Sequence, residues 1–193
     1  MSTIGILGWG SLIWDERPEF DAHHGDWQAD GPELPIEFSR VSWKTRGGAL
    51  TLVIDERNGA KCIVSYAIST RVDPKDAIGD LRSREGTTHK NIGVLATDGS
   101  GNQCSDATTA SIIEIWAKAK GLDVVVWTDL RSNFDDEVHK PFSVANAMTH
   151  LKSLSPEIKD NAASYVRRAP VFVQTPLRAA LEAEPWFNAP AAD

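Results

Sequence analysis

Glu85 lies four residues after Leu81, which follows Ile78 by three. On a helix this spacing puts the carboxylate on the same stripe as two apolar side chains. A glutamate turned inward is costly unless it is paired or protonated. Gly86 follows directly, so Glu85 falls in the last turn, at the negative end of the helix dipole. Burial and dipole both push a carboxyl pKa up towards neutrality, where a general acid/base works best. Arg82 and Arg84 offer a plain alternative, because either guanidinium can pair with Glu85 as a structural ion pair.

The second feature is Gly8-Trp9-Gly10-Ser11-Leu12, which directly follows an apolar run. Two glycines around Trp9 permit a tight turn with exposed backbone N–H groups, an array that binds a carboxylate or an oxyanion. A glycine turn at a tightly packed strand exit accounts for the same residues. Three phosphate or nucleophile motifs do not fit. Ile13 stands where a dinucleotide fingerprint needs its third glycine, and the Gly-Lys-Ser/Thr of a P-loop is absent. A nucleophile elbow around Ser11 needs glycines where Trp9 and Ile13 stand.

The other reactive side chains give less. His23, His24, His89, His139 and His150 lack metal-ligand spacing, so no metal is expected. Cys62 and Cys104 are too few for a disulfide framework, which fits a reducing, cytoplasmic setting. Cys104 precedes a helix start and is a candidate thiol nucleophile, though no histidine is placed by motif to assist it. Against 27 acidic residues stand 20 basic ones, and the net charge of −7 disfavours a phosphate backbone as partner. No apolar run reaches the ~20 residues of a membrane span. A small molecule is the expected partner; the oligomeric state is left open.

The elements that must position these groups follow from periodicity and punctuation. Strands are predicted over residues 4–7, 36–43, 49–55, 62–68, 92–97 and 124–128. Arg57-Asn58-Gly59 reads as a hairpin turn. Residues 15–35 read as loop. Asp73-Pro74 opens the helix that Gly86 ends, and Ser105-Asp106 opens one with the stripe Ile112, Ile115, Trp116 and Ala119, closed by Gly121. Val144, Ala147, Met148 and Leu151 mark another helix, and Ser155-Pro156 and Thr175-Pro176 each start a short one. The tail after Trp186 is expected to fray. Strands dominate the first half and helices the second, so the class is α+β: one domain over 1–193, a sheet or small barrel with packed helices and a helical part over 143–184.

Taken in order, these segments resemble a known family. Gly8-Trp9-Gly10-Ser11-Leu12-Ile13-Trp14 resembles the Tyr-Gly-Ser loop after the first strand of γ-glutamylcyclotransferases, above all the Gly-Tyr-Gly-Ser-Leu-Ile/Met-Trp form of the ChaC-like branch. Leu81-Arg-Ser-Arg84-Glu85-Gly86 is similar to the segment carrying that family's catalytic glutamate at a helix end. Ser42-Trp-Lys-Thr-Arg46-Gly47 with residues 50–55 is similar to the stretch where Arg-Gly precedes a strand. The likeness covers about the first half of the chain.

The resemblance implies a mixed α/β fold around a small barrel and an intramolecular acyl transfer without a cofactor. Glu85 would move the proton, while Trp9, Gly10, Ser11 and Leu12 would line the site of a γ-glutamyl substrate. Two departures stand out: Trp9 replaces the family's tyrosine, and the second half does not match. A non-catalytic binding module on the same fold is the main alternative reading.

Overall fold

β1 (Ile4–Gly8) is buried at all five positions, and its neighbours explain why. It runs parallel to β8 (Val124–Thr128) on one side and antiparallel to β5 (Ser65–Ile68) on the other. A strand covered on both faces reads as a continuous apolar run rather than an alternating one. In the computed structural model, which describes residues 2–188, contacts divide the chain into two compact units. One comprises the chain up to Leu34 together with Ile63–Leu130; the other comprises Pro35–Cys62 together with the chain from Arg131 on.

The first unit is built on an open five-stranded mixed sheet, ordered β5-β1-β8-β6-β7. β6 (Ile92–Ala96) pairs antiparallel with β8 and with the short β7 (Asn102–Gln103). β5 and β7 are edges, so no barrel closes, and the sheet form of the expectation holds. α3 (Pro74–Arg84) packs on β6 and β8, placing Ala77 and Leu81 in a cluster with Ile4, Ile6 and Val126. Its Asp73 cap accepts the Lys75 amide at 2.9 Å, as the Asp-Pro start predicts. The short α1 (Pro18–Asp21) interrupts the expected loop and adds Phe20 to the same cluster. Its start is also an Arg-Pro step, which a reading centred on charge and proline treats as loop.

α4 (Ala107–Lys120) has the predicted ends, with Asp106 accepting the Thr109 amide at 2.7 Å and Gly121 in the left-handed region. Its inward stripe differs from the expected one. Ala110, Ile113 and Ala117 are buried, whereas Ile115 is 73 % exposed. Ile112-Ile113 and Ile115-Trp116-Ala117, parted only by Glu114, leave the helical phase undecided. Trp116 is held instead by its indole N–H, which donates to the Asp30 carbonyl at 3.0 Å, and by edge contact with Tyr66.

The second unit holds a three-stranded sheet ordered β3-β2-β4, from β2 (Glu33–Ser42), β3 (Ala49–Ile54) and β4 (Ala60–Ile63). The single strand expected over 62–68 is therefore two, β4 and β5, in different sheets. Val64 is the break: its amide and carbonyl bond to Pro32 and Gly31 rather than to a ladder. The hairpin at Arg57-Asn58-Gly59 is also corrected, because β4 neighbours β2 and not β3. Here Asp55 organises the turn, its carboxylate accepting the Arg57 and Asn58 amides at 3.2 and 3.0 Å.

Helices cover this sheet. α2 (Trp43–Arg46) ends the expected strand one residue early, leaving Trp43 50 % exposed. α5 (Phe134–Val138) was not predicted; α6 (Val144–Ser153), α7 (Pro156–Arg168) and α8 (Pro176–Glu182) begin where expected, α7 running to 13 residues. α7 packs on β3, where the Tyr165 hydroxyl faces the Leu52 amide. Phe187, on α9 (Pro185–Asn188), is buried, so fraying does not begin at Trp186; the rest of that tail, 189–193, lies outside the described residues. Arg178 is the main polar anchor. It is 8 % exposed, and its Nη1 donates to the carbonyls of Ala169, Pro170 and Val173 at 3.3, 2.9 and 3.0 Å.

Glu37 on β2 is fully buried. Burial pushes its carboxyl above the usual range, against the Thr175 hydroxyl and the Phe38 and Leu177 amides, which favour the charged form. Oε1 accepts the Phe38 amide at 2.7 Å; Oε2 lacks a partner at hydrogen-bond geometry. Because the folded pKa is raised, the folded state holds the proton more tightly than the unfolded chain. The resulting stabilisation is complete below the unfolded value near 4.5 and is lost as pH rises through the folded value. Glu37→Gln, which keeps the shape without the charge, is expected to remove this decline. The gap in unfolding free energy between variant and parent, measured by urea titration at several pH values, should widen as pH rises above ~4.5.

Candidate functional site

The end of α3 is a Schellman cap. The Gly86 amide donates to the Ser83 carbonyl and the Thr87 amide to the Arg82 carbonyl, both at 3.1 Å. Glu85 is thereby the C-cap residue, still in right-handed geometry, with its amide on the Leu81 carbonyl at 3.0 Å. It is half-buried, beside fully buried Leu81, as its place on the stripe implies. Gly86 has φ 58, with open space where a Cβ would stand. Gly86→Ala is therefore expected to cost about 1 kcal/mol through backbone strain alone, seen as a lower thermal midpoint.

The loop after β1 is compact. The Ile13 amide donates to the Gly10 carbonyl at 3.0 Å and the Asp15 amide to the Ser11 carbonyl at 2.9 Å. The turn's own bonds thus take the amides of Ile13 and Asp15 rather than those of Gly10, Ser11 or Leu12. Trp9 and Leu12 turn their side chains inward, 6 % and 8 % exposed, and Leu12 joins the core cluster; Gly10 and Ser11 are half-buried. At Gly8 the reason for glycine is close packing. A Cβ there would stand 2.8 Å from the Trp27 ring.

The two features meet through Arg84. Its side chain is 6 % exposed, and Nη2 donates to the Ser11 carbonyl at 3.0 Å and the Asp15 carbonyl at 2.7 Å. The Asp15 carboxylate lies 3.5 Å from the same nitrogen and also holds Arg17 at 3.0 Å. Sequence reasoning treats Arg84 only as a partner for Glu85. The long-range bond to the loop left no local signal, since the contact spans 73 residues and ends on a main-chain carbonyl.

The remaining candidates stand elsewhere. The Cys104 thiol donates to the Asp106 carbonyl at 3.0 Å. His150 is buried against the Gly48 carbonyl at 2.8 Å, and half-buried His24 lies between the Phe20 and Trp27 rings, tilted at 53° and 54° to them. Among the described residues no group of three or more His, Cys, Asp or Glu side chains could hold a metal ion. None of the described helices is long and apolar enough to cross a membrane. No protein-family model, curated protein or solved structure matches the chain.

Proposed function

We propose that the chain is a γ-glutamylcyclotransferase-type enzyme, with Glu85 as its acid/base. The observation that carries this reading is the pair of bonds from Arg84 to the Ser11 and Asp15 carbonyls. They tie the helix end that carries Glu85 to the loop that carries Gly10, Ser11 and Leu12, within one unit of the chain.

In this reading the Glu85 carboxylate removes a proton from the α-ammonium group of a γ-glutamyl compound. The freed amine attacks the γ-carbonyl carbon, and a five-membered ring closes. Negative charge gathers on the carbonyl oxygen as the new C–N bond forms, and backbone N–H donors of the loop stabilise it. Collapse of that intermediate breaks the bond to the leaving amine, which takes the proton held by Glu85, and the surplus proton on the ring nitrogen passes through Glu85 to the departing amine. The products are 5-oxoproline and the amine as its ammonium ion, with no net consumption of water. Ring closure needs little beyond alignment, since both reacting groups belong to one molecule.

The test is incubation of the purified chain with glutathione, γ-glutamyl dipeptides and γ-glutamyl amines, assaying 5-oxoproline. Release above the buffer rate supports the reading. Thermal stabilisation by these compounds without product marks a binding module instead.

A further inference from the structure

Asn58 is the one asparagine in the chain that glycine follows. At an Asn-Gly step the side-chain amide is open to attack by the next backbone nitrogen, because glycine carries no Cβ to hinder the approach. In the turn between β3 and β4 neither residue is dispensable. A Cβ at Gly59 would stand 2.5 Å from both the Asp55 carbonyl oxygen and the Pro35 carbonyl carbon, so only glycine fits. Asn58 Nδ2 donates to Asp55 Oδ1 at 3.2 Å and Oδ2 at 3.1 Å, and its backbone amide donates to Oδ1 at 3.0 Å. The fold therefore places a reactive step at this point.

The closed turn engages both reacting groups. The Gly59 amide, which would be the nucleophile, donates to the Asp55 carbonyl at 2.7 Å. To react it must give up that proton, and the neighbouring Asp55 carboxylate disfavours the anion that results. The Asn58 carboxamide is held by the same carboxylate through both oxygens, so rotating it about its side-chain bonds breaks that pair. Asp55 is 6 % exposed, which leaves little water to replace the lost bonds.

We propose that Asn58-Gly59 is a deamidation site guarded by Asp55, silent while the turn is closed and reactive once it opens. In the open turn the Gly59 nitrogen loses its proton to base and attacks Asn58 Cγ. The new C–N bond closes a five-membered succinimide, the Cγ–Nδ2 bond breaks, and ammonia leaves with a proton from solvent. Water then adds to either imide carbonyl and breaks its bond to the Gly59 nitrogen, which regains a proton. One water is consumed and one ammonia released, with no change of oxidation state. The product at position 58 is aspartate or isoaspartate. An aspartate carboxylate there replaces the Nδ2 donor beside Asp55, and the two like charges oppose reclosure of the turn. The modification thus records an opening event and does not reverse. This inference is independent of the cyclotransferase reading.

The test incubates the purified chain in mildly alkaline buffer, folded and in urea, and follows each asparagine by peptide mapping with mass spectrometry. In urea Asn58 is expected to convert at least about tenfold faster than any other asparagine, giving both aspartate and isoaspartate. In the folded chain its rate should fall by at least about tenfold, through the bonds that opening must break. Asp55→Ala should restore most of the rate while Asn146, on α6, stays unmodified, a split that general unfolding would not produce. Asp55→Asn, which keeps the shape and an acceptor without the charge, should fall between parent and Asp55→Ala. Asn58→Asp should unfold at lower urea than Asn58→Ala, which loses the bonds without adding a charge. Equal Asn58 rates in the folded and unfolded chain, protection undiminished in both Asp55 variants, or Asn58→Asp as stable as Asn58→Ala would overturn the assignment.

Discussion

Glu85→Gln is expected to lower the rate of 5-oxoproline release from a γ-glutamyl compound by about 10²–10⁴-fold, the usual worth of a general acid/base. Glutamine matches the shape and keeps a carbonyl acceptor, but it cannot carry the proton from the attacking amine to the leaving one. The fold should survive, because Glu85 is half-buried at a helix cap whose bonds are made by its own and neighbouring main-chain groups. Initial rates and thermal unfolding measured on the same preparation separate the two effects. Full activity in the variant would remove Glu85 from the mechanism; lost activity with a collapsed midpoint would point to structure instead.

The largest expected loss of stability is at Arg178. Three carbonyls, of Ala169, Pro170 and Val173, converge on its Nη1, and Nε is held by Glu182 at 3.0 Å. Arg178→Ala deletes the donor and leaves those oxygens in a region where Ala169 and Val173 are 4 % and 0 % exposed. Bonds from a charged donor contribute roughly 1.5–3 kcal/mol each and do not add fully. A net loss of about 3–5 kcal/mol follows, a large part of the stability of an ordinary domain. Urea titration should show the midpoint falling with little change in slope. Arg178→Lys should recover only part of the loss, since an ammonium cannot reach both the carbonyls and Glu182 in the same fork.

What the sequence made legible was local. Asp73-Pro74, Asp106 and Gly121 fix helix ends through bonds to nearby amides or a single backbone conformation, and all three stand where predicted. Gly86 belongs to the same group, which is why Glu85 could be placed at a cap. The misses share a different cause. Val64 interrupts an apolar run because Gly31 and Pro32 compete for its backbone, a contact some thirty residues away. In α4, consecutive isoleucines offer two helical phases, and the sheet selects the one with Ile113 inside. The loop of the candidate site was visible as glycines, but its attachment to Arg84 was not, because main-chain acceptors carry no sequence signature. Leu12 was read as site lining, whereas its side chain belongs to the core cluster.

The covering of β3 by α7 has a consequence for synthesis. Leu52 and the Tyr165 that faces it are 113 residues apart in the chain. A ribosome therefore delivers the apolar residues of β3 long before the helix that shields them exists, and the first unit's last strand emerges during the wait. Until α7 arrives, the nascent chain presents an unshielded strand pair to the cell, a form prone to self-association. The longer synthesis takes to pass from Leu130 to Tyr165, the longer that exposure lasts.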